Sequence, residues 1–130
     1  MTQVIIHKND NGGVSVTVPT GELSIKEVQI KDTPEGSIIV DDSTLPQGAD
    51  AQFFDAWELD GSTVTVNLEK SRAIKLAQYN ATALQEAQKR QLNTLAGIEN
   101  TPSDADFVAK LQADRAAIAA AKTTAELVAI

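Results

Sequence analysis

The residue types that most readily do chemistry are concentrated in one acidic stretch. It contains five aspartates: Asp41, Asp42, Asp50, Asp55 and Asp60. Paired carboxylates can bind Ca²⁺ or act as a general acid and base. Their spacing fits no calcium-loop motif, and aspartate is common where chains turn. We therefore interpret the cluster as loop-capping and solubilising, with a metal-dependent enzyme using the Asp41/Asp42 region as a remote alternative.

The other reactive side chains are scarce. The chain has one histidine, His7, and no cysteine, which excludes disulfides, thiolate metal ligands and thiol catalysis. No motif supplies His7 with a nucleophile and an orienting acid, so we expect a surface strand residue. The sequence therefore predicts a protein that is not an enzyme and that uses no cofactor or metal.

Composition narrows the possible partners. The 130 residues carry a net charge of −7, whereas nucleic acids and anionic membranes attract basic surfaces. No apolar run approaches the roughly 20 residues that span a bilayer, and the first ten residues lack a signal-peptide pattern. We expect a protein made in the cytosol, with neither nucleic acid nor membrane as its partner.

The two halves of the chain differ sharply in composition. Residues 1–69 contain three lysines and twelve acidic residues, whereas residues 70–130 contain eight basic and six acidic residues. Sixteen of the 19 alanines follow position 70. This shift predicts an acidic β-rich domain over 1–68 and an alanine-rich helical domain over 69–130.

The first half is typical of a small antiparallel sheet with one or two short helices. Asn11-Gly12-Gly13 and Asp60-Gly61 are favoured hairpin turns, each between β-branched runs. Ser24 and Glu27 form a capping-box pattern, which predicts a helix over 24–31 with Leu23, Val28 and Ile30 packed inward. A third strand is expected over 37–40 and a short helix over 51–56.

The second half changes to a helical period. We expect helices over 69–98 and 102–121, with Thr101 as the N-cap and Pro102 in the first turn of the second. The loop between them is short enough to impose a long antiparallel helical hairpin. The fold class is therefore α+β, with the sheet followed by this hairpin.

Apolar residues follow one face of each predicted helix. On the first helix they keep a three–four spacing that is interrupted by Gln88 and Gln91, so we find no convincing heptad repeat; the members are Ile74, Ala77, Ala81, Leu84, Leu95 and Ile98. On the second they are Phe107, Leu111, Ile118 and Ala121. The basic residues, including Arg72, Lys89 and Arg90, are interpreted as solvated faces or as a match for an acidic neighbour.

Three of the five aromatic residues lie within five positions. Phe53, Phe54 and Trp57 are interpreted as core of the β-rich half, with an exposed anchor for a partner as the alternative. We expect Phe54 and Trp57 at the junction between the halves.

The order of segments resembles small proteins encoded in tailed-phage genomes. Those proteins combine an I-x-E-V/I-x-x-K-D-x-P-x-G segment with I-V/I-D-x-S-D-L-P and a D/N-A-W motif. The matching residues here are Ile25, Glu27, Val28, Lys31, Asp32, Pro34, Gly36, Val40, Asp41, Asp42, Ser43, Leu45, Pro46, Asp55, Ala56 and Trp57. Thr44 stands where the pattern has Asp. A helix start resembling phage tail-module proteins is carried by Lys70, Arg72, Ala73 and Ile74.

The resemblance implies a structural component of a phage tail or tail-fibre apparatus, located in the virion after assembly in the host cytoplasm. Its partners would be other tail or fibre proteins and further copies of itself, as a trimer or in a hexamer-related assembly. The alternative is a tail-fibre assembly chaperone that leaves before the particle is complete. The expected interface residues are Phe54, Trp57, Ile74, Leu84, Leu95, Phe107 and Ile118.

Overall fold

The computed structural model describes residues 2–130 and has a mixed α+β fold. The chain forms two compact units, Met1–Lys70 and Ser71–Ile130. All five strands belong to the first unit, and the second is helical.

Two antiparallel sheets build the first unit, where the sequence predicted one. The strands are β1 (Gln3–Lys8), β2 (Val14–Thr17), β3 (Ile38–Asp41), β4 (Trp57–Asp60) and β5 (Thr63–Val66). One sheet has the order β2-β1-β3 and the other pairs β4 with β5. Both predicted hairpins are confirmed, because β1 pairs with β2 and β4 with β5.

The core of the first unit lies between these sheets. Val4, Ile6 and Val14 from one sheet pack with Trp57 and Val64 from the other. Strand β4 lies against β1 and β2, which brings the two sets together. The second sheet therefore covers the face of the first that carries Val4, Ile6 and Val14.

Helix α1 (Ile25–Asp32) lies against β1. Its predicted cap is confirmed, since the Ser24 side chain accepts a hydrogen bond from the Glu27 backbone N–H. Val28 is buried as expected, but the predictions for Leu23 and Ile30 are wrong because these side chains are 39 % and 84 % exposed. A helix this short buries only a narrow strip, and Val28 occupies it.

The connections around β3 and β4 are 3₁₀ turns. They span Asp42–Thr44 and Asp50–Ala56. The second turn buries Phe53, and its Asp50 carbonyl accepts a hydrogen bond from Trp57 Nε1 at 3.0 Å. These contacts fix the indole in the core of the first unit.

The long helix α2 (Leu68–Leu95) ends three residues before the predicted boundary. Gly97 adopts a positive φ of 75°, and the Ile98 backbone N–H donates to the Asn93 carbonyl at 2.8 Å. This pairing closes the last turn of a helix, and glycine adopts its left-handed conformation without a steric penalty.

Helix α3 (Asp104–Ala120) begins later than predicted. Thr101 and Pro102 precede it, and the N-cap is Ser103, whose side chain accepts from the Asp106 backbone N–H. Ser103 also places Asp104 and Asp106 in the first turn, where carboxylates interact favourably with the helix dipole.

Helix α4 (Thr124–Val128) begins after the N-cap Thr123, whose side chain accepts a hydrogen bond from the Glu126 backbone N–H. Its Leu127 is fully buried, as are Ile118 and Ala121 at the end of α3. The other large apolar side chains of the second unit are half-buried or exposed. A small core of this kind leaves much of the helical surface facing water.

Candidate protein interface

Helix α2 carries two stripes of residues with the same three–four spacing, on different sides of the helix. The inner stripe is buried or half-buried and consists of Arg72, Leu76, Tyr79, Ala83, Glu86, Arg90 and Asn93. The outer stripe is exposed throughout and consists of Ala77, Ala81, Leu84, Gln88, Gln91 and Leu95. The less exposed face is therefore the more polar one, which reverses the usual arrangement of an amphipathic helix.

Polar side chains of the inner stripe reach the segment from Pro102 to Ala121. The Tyr79 hydroxyl donates to Asp114 Oδ2 at 2.6 Å, and Arg72 donates from Nε and Nη2 to the Ala121 carbonyl at 2.8 and 2.6 Å. Long side chains that bridge by hydrogen bonds leave space beside them. An open groove of about 600 Å³ lies there, with Tyr79, Phe107 and Asp114 in its lining.

Arg90 makes the densest set of contacts on the inner stripe. Its Nη1 donates to the Pro102 carbonyl at 2.6 Å and to Asp104 Oδ1 at 3.1 Å. Its Nε lies 3.2 Å from Glu86 Oε1, and its guanidinium carbon lies 4.6 Å from the Phe107 ring centroid. The interpretation of Arg90 as a solvated basic residue is therefore wrong, because the side chain is buried. The acceptors at Nη1, the charge of Glu86 and the Phe107 ring offset this burial, while Nε has no hydrogen-bond partner among the described residues.

A second polar cluster surrounds Asp114. Lys110 Nζ lies 2.6 Å from Asp114 Oδ2 and, with the Tyr79 hydroxyl, holds the pKa of this carboxyl below its ordinary value. Burial raises the pKa of Tyr79 to about 12, and the hydrogen bond and charge of Asp114 act in the same direction. The phenol thus stays neutral and able to donate well above the pH at which a free tyrosine ionises.

This cluster predicts a loss of stability in alkali. The pKa of Tyr79 is raised on folding, so its contribution is fully present below about pH 10, the unfolded value, and is lost as pH rises towards 12. We expect the native tyrosinate absorbance to titrate with a midpoint near 12 and to return to about 10 in denaturant. Tyr79 is the only tyrosine, so the signal is unambiguous. A native midpoint near 10 would contradict the hydrogen bond to Asp114.

The outer stripe exposes large apolar side chains. Leu84 is 59 % exposed and Leu95 is 80 % exposed, and the neighbouring Leu92 is 68 % exposed. Scattered exposed leucines are ordinary, but exposed apolar residues that share one face of a helix with uncharged neighbours favour an interaction surface. The outer stripe is therefore the candidate interface of this protein.

Gln88 and Gln91 are the two polar members of the outer stripe and lie between Leu84 and Leu95. Successive members of the outer stripe are four, three, four, three and four residues apart, and the two glutamines occupy consecutive positions. The glutamines therefore interrupt the apolar residues of this row, as the sequence indicated, although the positions keep the helical spacing.

The other predicted interface residues are distributed among different environments. Trp57 is buried in the first unit, and Phe54, which is exposed, packs on it with ring centroids 4.8 Å apart. Ile74 and Phe107 are half-buried, and Ile118 is buried. Of the seven residues, Leu84 and Leu95 share the exposed outer stripe.

The aspartates between positions 41 and 60 lie at turns and element ends. Asp41 Oδ1 accepts from the Ser43 backbone N–H at 2.9 Å, and this bond lowers the pKa of the carboxyl. This confirms the loop-capping interpretation for Asp41. Among residues 2–130, no group of three or more potential metal-binding side chains is found.

His7 lies on β1 opposite Ser15 and is half-buried, where the sequence predicted a surface position. Within the described part of the chain, its Nδ1 atom is buried without a hydrogen-bond partner. In the same residues, no helix combines the length and apolarity needed to cross a membrane.

Comparison with protein-family models, with curated proteins and with solved structures finds no match to this chain.

Proposed function

We propose that this protein is a structural component of a phage tail or tail-fibre apparatus that acts by protein–protein assembly. The observation that carries the proposal is the outer stripe of α2, a long exposed row of apolar and amide side chains. Exposure of such apolar side chains to water is unfavourable, and their burial against a partner stabilises the complex.

The proposal includes an antiparallel hairpin of α2 and α3 as the assembly element. Three contacts at successive levels support it: Arg72 with Ala121, Tyr79 with Asp114 and Arg90 with Asp104. Residues later in α2 contact residues earlier in the segment that follows it, as in an antiparallel pair of helices. With its polar face directed to α3, the hairpin offers the apolar stripe to other proteins.

The acidic first unit gives a second route of assembly. Its excess of eight acidic residues over basic ones favours docking on a basic surface of a neighbouring tail protein. The charge would guide the approach and fix orientation, while the outer stripe would supply the buried apolar area.

Quantitative mass spectrometry of purified particles of the source phage tests the proposal. We expect a signal stoichiometric with known tail proteins, in a multiple of three or six copies per particle. A protein abundant in the infected-cell lysate and missing from particles would contradict a virion component. That result would support the alternative, a tail-fibre assembly chaperone whose exposed stripe binds fibre chains transiently.

A further inference from the structure

We infer that a pocket beside Trp57 in the first unit binds a long cationic side chain, an arginine, of a neighbouring protein. The inference rests on the proposed assembly function and deepens it, because it gives the acidic unit a defined point of contact and names the chemistry of its partner.

The pocket is an open depression of about 580 Å³. Its apolar lining comes from Leu45, Pro46 and Trp57, and its polar lining comes from Asp42, Ser43 and Gln47. Binding pockets commonly have volumes of about 300–1,000 Å³, so a long side chain fits here together with part of its backbone.

Charge decides which kind of side chain the pocket accepts. Among the described residues that line it, Asp42 is the one charged residue, and it is exposed. The first unit has twelve acidic residues and four lysines, and within its described part the one ion pair joins Lys70 to Glu58. The Asp42 carboxylate is therefore not neutralised by these residues. A cationic side chain finds a complement there, whereas an acidic one is repelled.

The apolar lining favours an organic cation over a metal ion. The side chains of Leu45, Pro46 and Trp57 supply no oxygen ligand for a hard cation such as Ca²⁺. The aliphatic stem of a long basic side chain packs against such groups and keeps its charged end at a carboxylate. Arginine fits better than lysine, because its guanidinium is planar, weakly hydrated and able to stack on an aromatic ring.

The loop that carries Asp42 is held in place by its own hydrogen bonds. The Asp42 backbone N–H donates to the Thr2 carbonyl at 2.8 Å. Gln47 Nε2 donates to the carbonyls of Asp42 and Leu45 at 3.2 and 2.9 Å. A pocket whose lining is already ordered loses little conformational entropy when a ligand enters it.

A nuclear magnetic resonance titration of the full-length ¹⁵N-labelled protein tests the inference. Trp57 is the only tryptophan, so its indole N–H gives a single resonance that reports on the pocket. The peptide acetyl-glycyl-arginyl-glycine amide should shift this resonance to saturation. The same peptide with citrulline, which keeps the shape of arginine without its charge, should bind at least fivefold more weakly.

A pair of matched variants separates the pocket from the general acidity of the unit. Asp42→Asn removes the charge and keeps the size of the side chain, so the arginine peptide should bind at least threefold more weakly. Asp10→Asn changes the net charge equally at an exposed position in the turn between β1 and β2. Its affinity for the peptide should stay within twofold of that of the unmodified protein.

Three results would overturn the inference. The first is an indole resonance that does not respond to the arginine peptide or responds equally to the citrulline peptide. The second is equal weakening by Asp42→Asn and Asp10→Asn, which describes diffuse attraction to an acidic surface. The third is a resonance that responds to Ca²⁺ and not to the arginine peptide. None of them changes particle composition, so a stoichiometric virion signal would still support the assembly role through another surface.

Discussion

Replacing Leu84 and Leu95 together by aspartate should convert the protein from an oligomer to a folded monomer. Each leucine contributes about 1.5–3 kcal/mol to association when a partner buries its side chain, and an aspartate in its place has to be desolvated as well. Association should therefore weaken by at least about a hundredfold. Sedimentation velocity over a range of concentrations measures this change directly.

The folded state of the double variant should survive, because both side chains are largely exposed in the single chain. Exposed substitutions of this kind usually change stability by no more than about 0.5 kcal/mol. Ile30→Asp is the matched control, since Ile30 is an exposed apolar residue outside α2. It should leave the oligomer intact. A monomeric unmodified protein, or a double variant that still assembles, would contradict an interface on the outer stripe.

Replacing Arg90 by alanine should give a large loss of stability in the helical unit. The side chain is 6 % exposed, donates to Pro102 and Asp104, and covers the Phe107 ring. Its removal leaves acceptors unpaired and a cavity beside the ring, so we expect a loss of about 2–4 kcal/mol. Chemical denaturation followed by circular dichroism, which reports mainly on the helices, measures it.

Two companion variants separate the contributions of charge and geometry. Arg90→Lys keeps the positive charge but loses the planar fork that contacts two acceptors at once, so it should recover only part of the loss. Lys89→Ala, at an exposed neighbour, should lie within about 0.5 kcal/mol of the unmodified protein. Trp57, the only tryptophan, is buried in the first unit and reports by fluorescence on that unit. An Arg90→Ala transition identical to that of the unmodified protein would show that these contacts contribute nothing.

Local features of the fold were predictable because they depend on neighbouring residues. Glycine-containing turns fix the two hairpins, and the Ser24 and Thr123 caps fix helix starts through bonds that span three residues. The N-cap of α3 was predicted at Thr101, but it lies at Ser103. Thr101 and Ser103 are both competent caps, and the choice depends on where the turn after Gly97 directs the chain.

The number of sheets was not predictable from strand patterns. Val4, Ile5 and Ile6 are all buried, which an alternating half-solvated strand does not explain. The burial arises because β4 packs on one face of the first sheet and α1 lies against β1. The alternation of apolar and polar residues along a strand identifies its two faces, but it does not identify the element that covers each face.

The sequence by itself determined that α2 is a long helix and that a row of apolar residues follows one of its faces. It could not determine which face is less exposed, because α2 carries two stripes with the same spacing and a helical period does not rank them. Tertiary structure decided in favour of the polar stripe, since Arg72, Tyr79 and Arg90 find hydrogen-bond acceptors between Pro102 and Ala121. Buried polar groups require such partners, and apolar groups do not, so the acceptors select the face and leave the leucines exposed.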